Sequence, residues 1–207
     1  MKFRTEILAA SSGTGLGFGD RITLLGSCFS DNIGQKLEDA GFNVLRNPFG
    51  ALYNPASVAS AIRRLDSGRQ FTEEDCVEMG AGSGLICSFE HHTSFARESR
   101  QEFLDNANMK LRDSRILWNS CNKVIITLGT AFVWNSLRRN GMAVSNCLKR
   151  PGAEFSRNLL SVQECVSLLT SIVTAHSEKE FIFTVSPIRH LSDGAHANTI
   201  SKSTLQL

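Results

Sequence analysis

The chain has 207 residues, 42% of them apolar, and a formal charge of +2, which suits one domain of ordinary size with a substantial core. Basic residues gather on no segment: the nearest cluster, Lys149-Arg150 with Arg157, reads as a solvated loop, which argues against a nucleic-acid partner. No apolar run is long enough to span a bilayer, residues 1–6 lack the apolar core of a signal peptide, and the six cysteines include no C-x-x-C pair, so neither a zinc nor a redox motif is indicated and a cytoplasmic location is expected.

In chain order, residues 1–20 read as a Gly- and Ser-rich lead-in loop and residues 21–26 as the first strand. Residues 31–41 fit a helix, with Ile33, Leu37 and Ala40 at helical spacing and Gly41 as the stop. A short strand over 42–45 leads into the turn Asn47-Pro48-Phe49-Gly50, and Asn54-Pro55 opens a helix that ends near Gly68. Residues 85–89 look like a strand and 97–117 like a long amphipathic helix; the 69–120 region is a candidate insertion within a single 1–207 domain. Residues 123–128, a β-branched run, suit a central strand buried on both faces. Residues 142–145 suit an edge strand, 161–176 a helix with Ser161 and Glu164 at capping-box spacing, and 181–185 a second central strand. A further helix starts at 198–201. Strands alternating with helices predict a mostly parallel sheet covered on both faces.

The candidate polar groups all follow predicted strands: Ser27, then Asn47 and Gly50, His91 and His92, Thr130, Asn146, and finally Arg189 and His190. In a parallel sheet those ends share one edge, where open α/β sheets bind ligands. Ser27 would stand where a strand passes into a helix whose first amides lack intrahelical partners, so a hydroxyl and free donors meet there, as acyl transfer requires. Its bland reading is a helix N-cap. Gly50 can offer an amide to an oxyanion or merely close its turn. His91 and His92 are adjacent, so on an extended segment at most one faces the crevice. His190 is a candidate base because imidazole titrates near neutrality, against the reading that it only fixes its loop. Cys28 is a rival nucleophile expected to point into the core. No metal-ligand spacing is present and no cofactor is implied.

Taken together, Gly26-Ser27-Cys28-Phe29-Ser30, Asn47-Pro48-Phe49-Gly50, Leu52-Tyr53-Asn54-Pro55, His91-His92-Thr93, Thr127-Leu128-Gly129-Thr130-Ala131, Asn146-Cys147, the stretch from Thr184 to His190, and Ser201-Lys202 resemble the GSCFA family over nearly the whole chain. That family looks like a branch of the SGNH hydrolases. The resemblance implies an α/β fold, a flavodoxin-like three-layer α/β/α sandwich, and a serine esterase or acyltransferase acting on a small acyl ester or an O-acylated carbohydrate. Ser27 would be the nucleophile, and the amides of Ser27 and Gly50 the oxyanion hole. Thr130 stands where the superfamily carries an Asn, and Leu148 where the family reads His. Asp193 and His196 have Asp-x-x-His spacing but follow Pro187 directly, out of place in the strand and helix order. The usual base segment is therefore expected to be missing and the fold to be incomplete at the C-terminus. Three readings follow: a shortened enzyme, an enzyme that recruits His190 or His92 as base, or a module that binds a small ester or carbohydrate without turnover. The oligomeric state is left open.

Overall fold

The computed structural model describes residues 13–207; most of the expected lead-in loop, residues 1–12, lies outside the described residues. In chain order the elements are β1 (Arg21–Gly26), α1 (Cys28–Asp39), β2 (Asn43–Arg46), α2 (Pro55–Ser67), β3 (Val77–Glu78), β4 (Ile86–Cys87), α3 (Arg100–Ser120) and β5 (Lys123–Leu128). They continue with β6 (Phe132–Ser136), β7 (Met142–Val144), β8 (Phe155–Leu159), α4 (Val162–Ala175), β9 (Glu180–Val185) and α5 (Gly194–Gln206).

β1 and β5 are buried along their whole length after the first residue, as a parallel sheet covered on both faces demands of its inner strands. The sheet runs β2-β1-β5-β9 with every pair parallel; β9, expected as a second central strand, is instead an edge strand, partly exposed along its length because it has a neighbour on one side only. Counting only these strands, the order is 2-1-3-4, so the chain reverses its direction of travel between β1 and β5 and opens a crevice at their carboxyl ends. One face is covered by α1, whose Ile33 and Leu37 meet Ile22, Leu24 and Ile125. The other carries the larger core, in which Leu25, Val124 and Ile126 pack with Val58, Ile62, Phe103, Trp118 and Ile172 from α2, α3 and α4. The result is one helix, the sheet, and a layer of several helices. α3 buries Phe103, Ala107, Leu111, Ser114 and Trp118 in one stripe and contacts β1 and β2, so it belongs to that layer.

Two expected strands lie outside the parallel sheet. Within residues 85–89 only β4 is extended, and it pairs antiparallel with β3. The Ser88 hydroxyl bonds both the Glu90 amide and His91 Nδ1, which turns the chain after two residues. The strand expected at 142–145 is β7, the edge of a separate antiparallel ribbon of order β7-β6-β8. α1 begins three residues earlier than its apolar spacing suggested, because Ser27 caps it, and α5 begins four residues earlier than expected. Among the described residues no helix is long and apolar enough to cross a membrane.

Candidate functional site

Gly26 and Ser27 end β1 at the crevice. Gly26 has φ +132°, and a Cβ there would lie 2.1 Å from the Thr127 carbonyl oxygen, so only glycine lets β1 pass β5 this closely. Ser27 is extended (φ −66°, ψ 175°); its Oγ accepts from the Phe29 amide at 3.4 Å, the long limit of a hydrogen bond, and no other bond from the described residues engages it. It is 3% exposed. The capping role is therefore present but weakly bonded.

The donors expected around it are already committed. The Ser27 amide donates to the Thr127 carbonyl at 3.0 Å and the Gly50 amide to the Asn47 carbonyl at 2.8 Å. Among the described residues the Cys28 amide has no acceptor, while the Phe29 and Ser30 amides both donate to Ser27. Cys28 itself is exposed, contrary to expectation: α1 buries Ser30 and Gly34, and a residue two positions from Ser30 faces away from that stripe.

Asn47 organises the turn, a role that sequence reading left unassigned. It is buried, has φ +36°, and its Oδ1 accepts the Gly26 amide at 2.9 Å. Its own amide donates to the Leu24 carbonyl, and the Leu52 amide to the Gly26 carbonyl. The signal available in sequence was Asn before Pro in a short turn, a residue type that tolerates the left-handed region.

The histidine pair separates as adjacent extended residues do. The His92 amide donates to the Phe49 carbonyl, and its Cβ lies where a Cβ on Gly50 (φ +82°) would be, 2.3 Å away. His92 Nδ1 accepts from the Ser94 amide at 3.3 Å, which leaves the proton of the neutral ring on Nε2. His91 goes the other way. It is 0% exposed, ringed by Phe49, Phe71, Phe95 and Phe103, with Nδ1 on Ser88 Oγ at 2.7 Å and Nε2 unpartnered. Burial, helped by the nearby Arg64 guanidinium, pushes its pKa down to about 3. It is a neutral core residue and does not reach the crevice expected of it.

Thr130, Asn146 and His190 meet in a cavity of about 650 Å³ between the carboxyl edge of the sheet and the ribbon, with Tyr53, Cys147 and Trp134 also in its wall. The Thr130 hydroxyl is held by Ser201 Oγ at 3.0 Å, and Asn146 Oδ1 accepts the Leu148 amide at 2.8 Å. The His190 ring stands edge-on to Tyr53, with centroids 6.1 Å apart, and its amide donates to Asn198. Ser27, Gly50, His91 and His92 are not in this wall. Tyr53 connects the two places: its ring lines the cavity, while its phenol is pushed up first by burial and then by Cys28 and Asp31 on the helix behind Ser27. Among the described residues Asp193 accepts no hydrogen bond from His196; it accepts from Arg157 at 2.7 Å.

A family model for the GSCFA family matches residues 21–207. The chain belongs to the GSCFA family. No curated protein and no solved structure gave a match. In this GSCFA chain the five residues 26–30 form the strand-to-helix turn, and each has a local physical reason. Gly26 permits the close approach to β5, Ser27 caps, Cys28 and Phe29 face outward, and the Ser30 hydroxyl is buried and donates back to the Leu25 carbonyl at 3.1 Å. The Ser201-Lys202 pair also has a visible task. Ser201 Oγ accepts the Ala131 amide at 2.8 Å, and Lys202 Nζ donates to the Gly129 and Ser186 carbonyls at 2.5 and 2.6 Å, tying α5 to the ends of β5 and β9.

Proposed function

We propose that this GSCFA chain is a serine esterase or acyltransferase of the SGNH type acting on a small acyl ester. The observation that supports it most is the position of Ser27: a nearly unbonded hydroxyl on a strand-to-helix turn, at the crevice where the parallel sheet reverses order. Ser27 Oγ attacks the acyl carbonyl and its proton passes to a base. The tetrahedral oxyanion faces the amides of the first turn of α1, where Cys28 N–H is free to donate. Collapse expels the alcohol, which takes up the proton, and water or a second alcohol then releases the acyl group from the serine.

His190 is the better base. His92 Nδ1 is taken up by the amide and hydroxyl of Ser94, which leaves its Nε2 to orient substrate or oxyanion. Using the Ser27 or Gly50 amide as an oxyanion donor requires that amide to be shared with the carbonyl it now serves. A second reading, a binding module without turnover, is favoured by one specific observation: no hydrogen bond joins Ser27 to a histidine among the described residues.

Labelling with a fluorophosphonate probe separates the two. An active site gives a labelled wild type, no labelling of Ser27→Ala, and labelling of His190→Ala slowed by at least about 100-fold. A folded wild type that takes no label removes the esterase reading and leaves the binding module.

A further inference from the structure

The cavity beside Tyr53 has walls that the acyl-transfer chemistry does not use. Phe132 and Trp134 alternate on one face of β6, and Trp134 is 40% exposed although it is among the largest apolar side chains in the chain. Arg157, the cross-strand partner of Trp134 on β8, lies with its guanidinium 3.9 Å from the Phe132 ring centroid and 5.5 Å from that of Trp134. Asp193, also in the wall, accepts from that guanidinium at 2.7 Å, and its side chain is only 8% exposed. Asn146 has its Oδ1 engaged by Leu148, which leaves its Nδ2 donors.

The charges decide what such walls can hold. Arg157 is paired with Asp193 and Arg150 with Glu154, so each cation in the wall is already neutralised. A phosphate or carboxylate gains little there. An acyl chain would strip water from an ion pair and an amide and return no hydrogen bonds. A neutral ring with an apolar face and an equatorial rim of hydroxyls fits both requirements: its C–H face covers an aromatic plane, and its hydroxyls accept from Arg157 and Asn146 and donate to Asp193.

We propose that this cavity is a saccharide subsite, with Trp134 as the stacking platform and the Arg157–Asp193 pair and Asn146 as the polar rim. Resting on the esterase reading, the sugar is the alcohol portion of the ester, held beside Tyr53 and His190.

The test is a titration of the Ser27→Ala protein with methyl glycosides of glucose, galactose, mannose and N-acetylglucosamine, read by saturation-transfer NMR. Removing the serine keeps binding separate from turnover. Saturable binding of at least one glycoside is expected. Its dissociation constant should rise about tenfold or more in Trp134→Ala and in Asp193→Asn, and less in Trp134→Phe. Trp134→Phe keeps an aromatic ring on β6 and serves as the folded control. Binding of none of the four, or binding indifferent to Trp134→Ala and Asp193→Asn, overturns the subsite. Glycoside binding by a chain that takes no fluorophosphonate label keeps the subsite and removes the esterase.

Discussion

Asn47 shares with Gly26 the task of positioning Ser27. Gly26 allows β1 to approach β5; Asn47 then satisfies the Gly26 amide with its side chain and clamps the second turn against the first with its backbone. Replacing it with Ala leaves a buried N–H without an acceptor, which costs about 1–3 kcal/mol, and demands a left-handed φ that Ala adopts poorly. Asn47→Ala is therefore expected to lower stability by about 2 kcal/mol in urea denaturation and to slow labelling of Ser27. Asn47→Asp restores an acceptor for the Gly26 amide and should recover most of the stability. Equal stability of Asn47→Ala and wild type would show that the clamp is incidental. Residue identity alone made Ser27 and Gly50 readable as candidates, because both belong to short motifs with a known local geometry. It could not reveal that their amides are already engaged. That depends on which strands become neighbours: the Ser27 amide meets Thr127, one hundred residues away in sequence.

At the level of elements, the strands that were legible were the inner ones. Residues 22–26 and 124–128 are buried on both faces, and a continuous apolar run says so directly. β6 and β8 were not legible. Phe132 and Trp134 of β6 and Phe155 and Arg157 of β8 line the cavity, and the sequences Phe-Val-Trp-Asn-Ser and Phe-Ser-Arg-Asn-Leu lack a simple alternation because that face is aromatic and charged. α5 is the other instructive case. Its one buried residue is Ser201, so no apolar stripe announced its start at Gly194. Polar bonds from Ser201 and Lys202 to the ends of β5 and β9 hold it instead. Lys202 gives up water to do this, and burial holds its pKa below the ordinary lysine range. Lys202→Met should cost about 1–2 kcal/mol, since charge-assisted bonds to two carbonyls are lost while a desolvation cost is relieved. The loss should be local: amide hydrogen exchange is expected to speed up in α5 and at residues 186–190, with β1 and β5 still protected. Uniform exchange across the sheet, or none of the expected acceleration, would place the anchoring of α5 elsewhere.

For the whole molecule, the buried His91 links the core to pH. Four phenylalanines surround it, from the turn after β2, the segment before β3, the loop before α3, and α3 itself. They therefore join parts of the chain that fold together or not at all. Its neutral form is enforced by burial and by Arg64, which pairs with Glu90 and Asp75 and lies over Phe71. The sign follows from the depressed value. Between pH 6.5, the ordinary histidine value, and about 3, the unfolded chain binds a proton that the folded chain refuses. The unfolded state is favoured there as acid is added, so His91 lowers stability as the pH falls through this window and has no effect above it. The slope from one such group is about 1.4 kcal/mol per pH unit. His91→Phe isolates it. A phenyl ring fits the same aromatic surroundings and removes both the titration and the unpartnered Nε2, at the loss of one hydrogen bond to Ser88. At pH 7.5 the variant should lie within about 1 kcal/mol of wild type. Urea midpoints measured at each pH from 7.5 down to 4.5 should diverge, the variant losing stability less steeply by close to the full slope of one proton below pH 6. The carboxylates contribute equally to both proteins, so the difference between the curves belongs to His91. Parallel curves would mean that His91 takes up its proton in the folded state, and that the aromatic cage opens to water before the molecule unfolds.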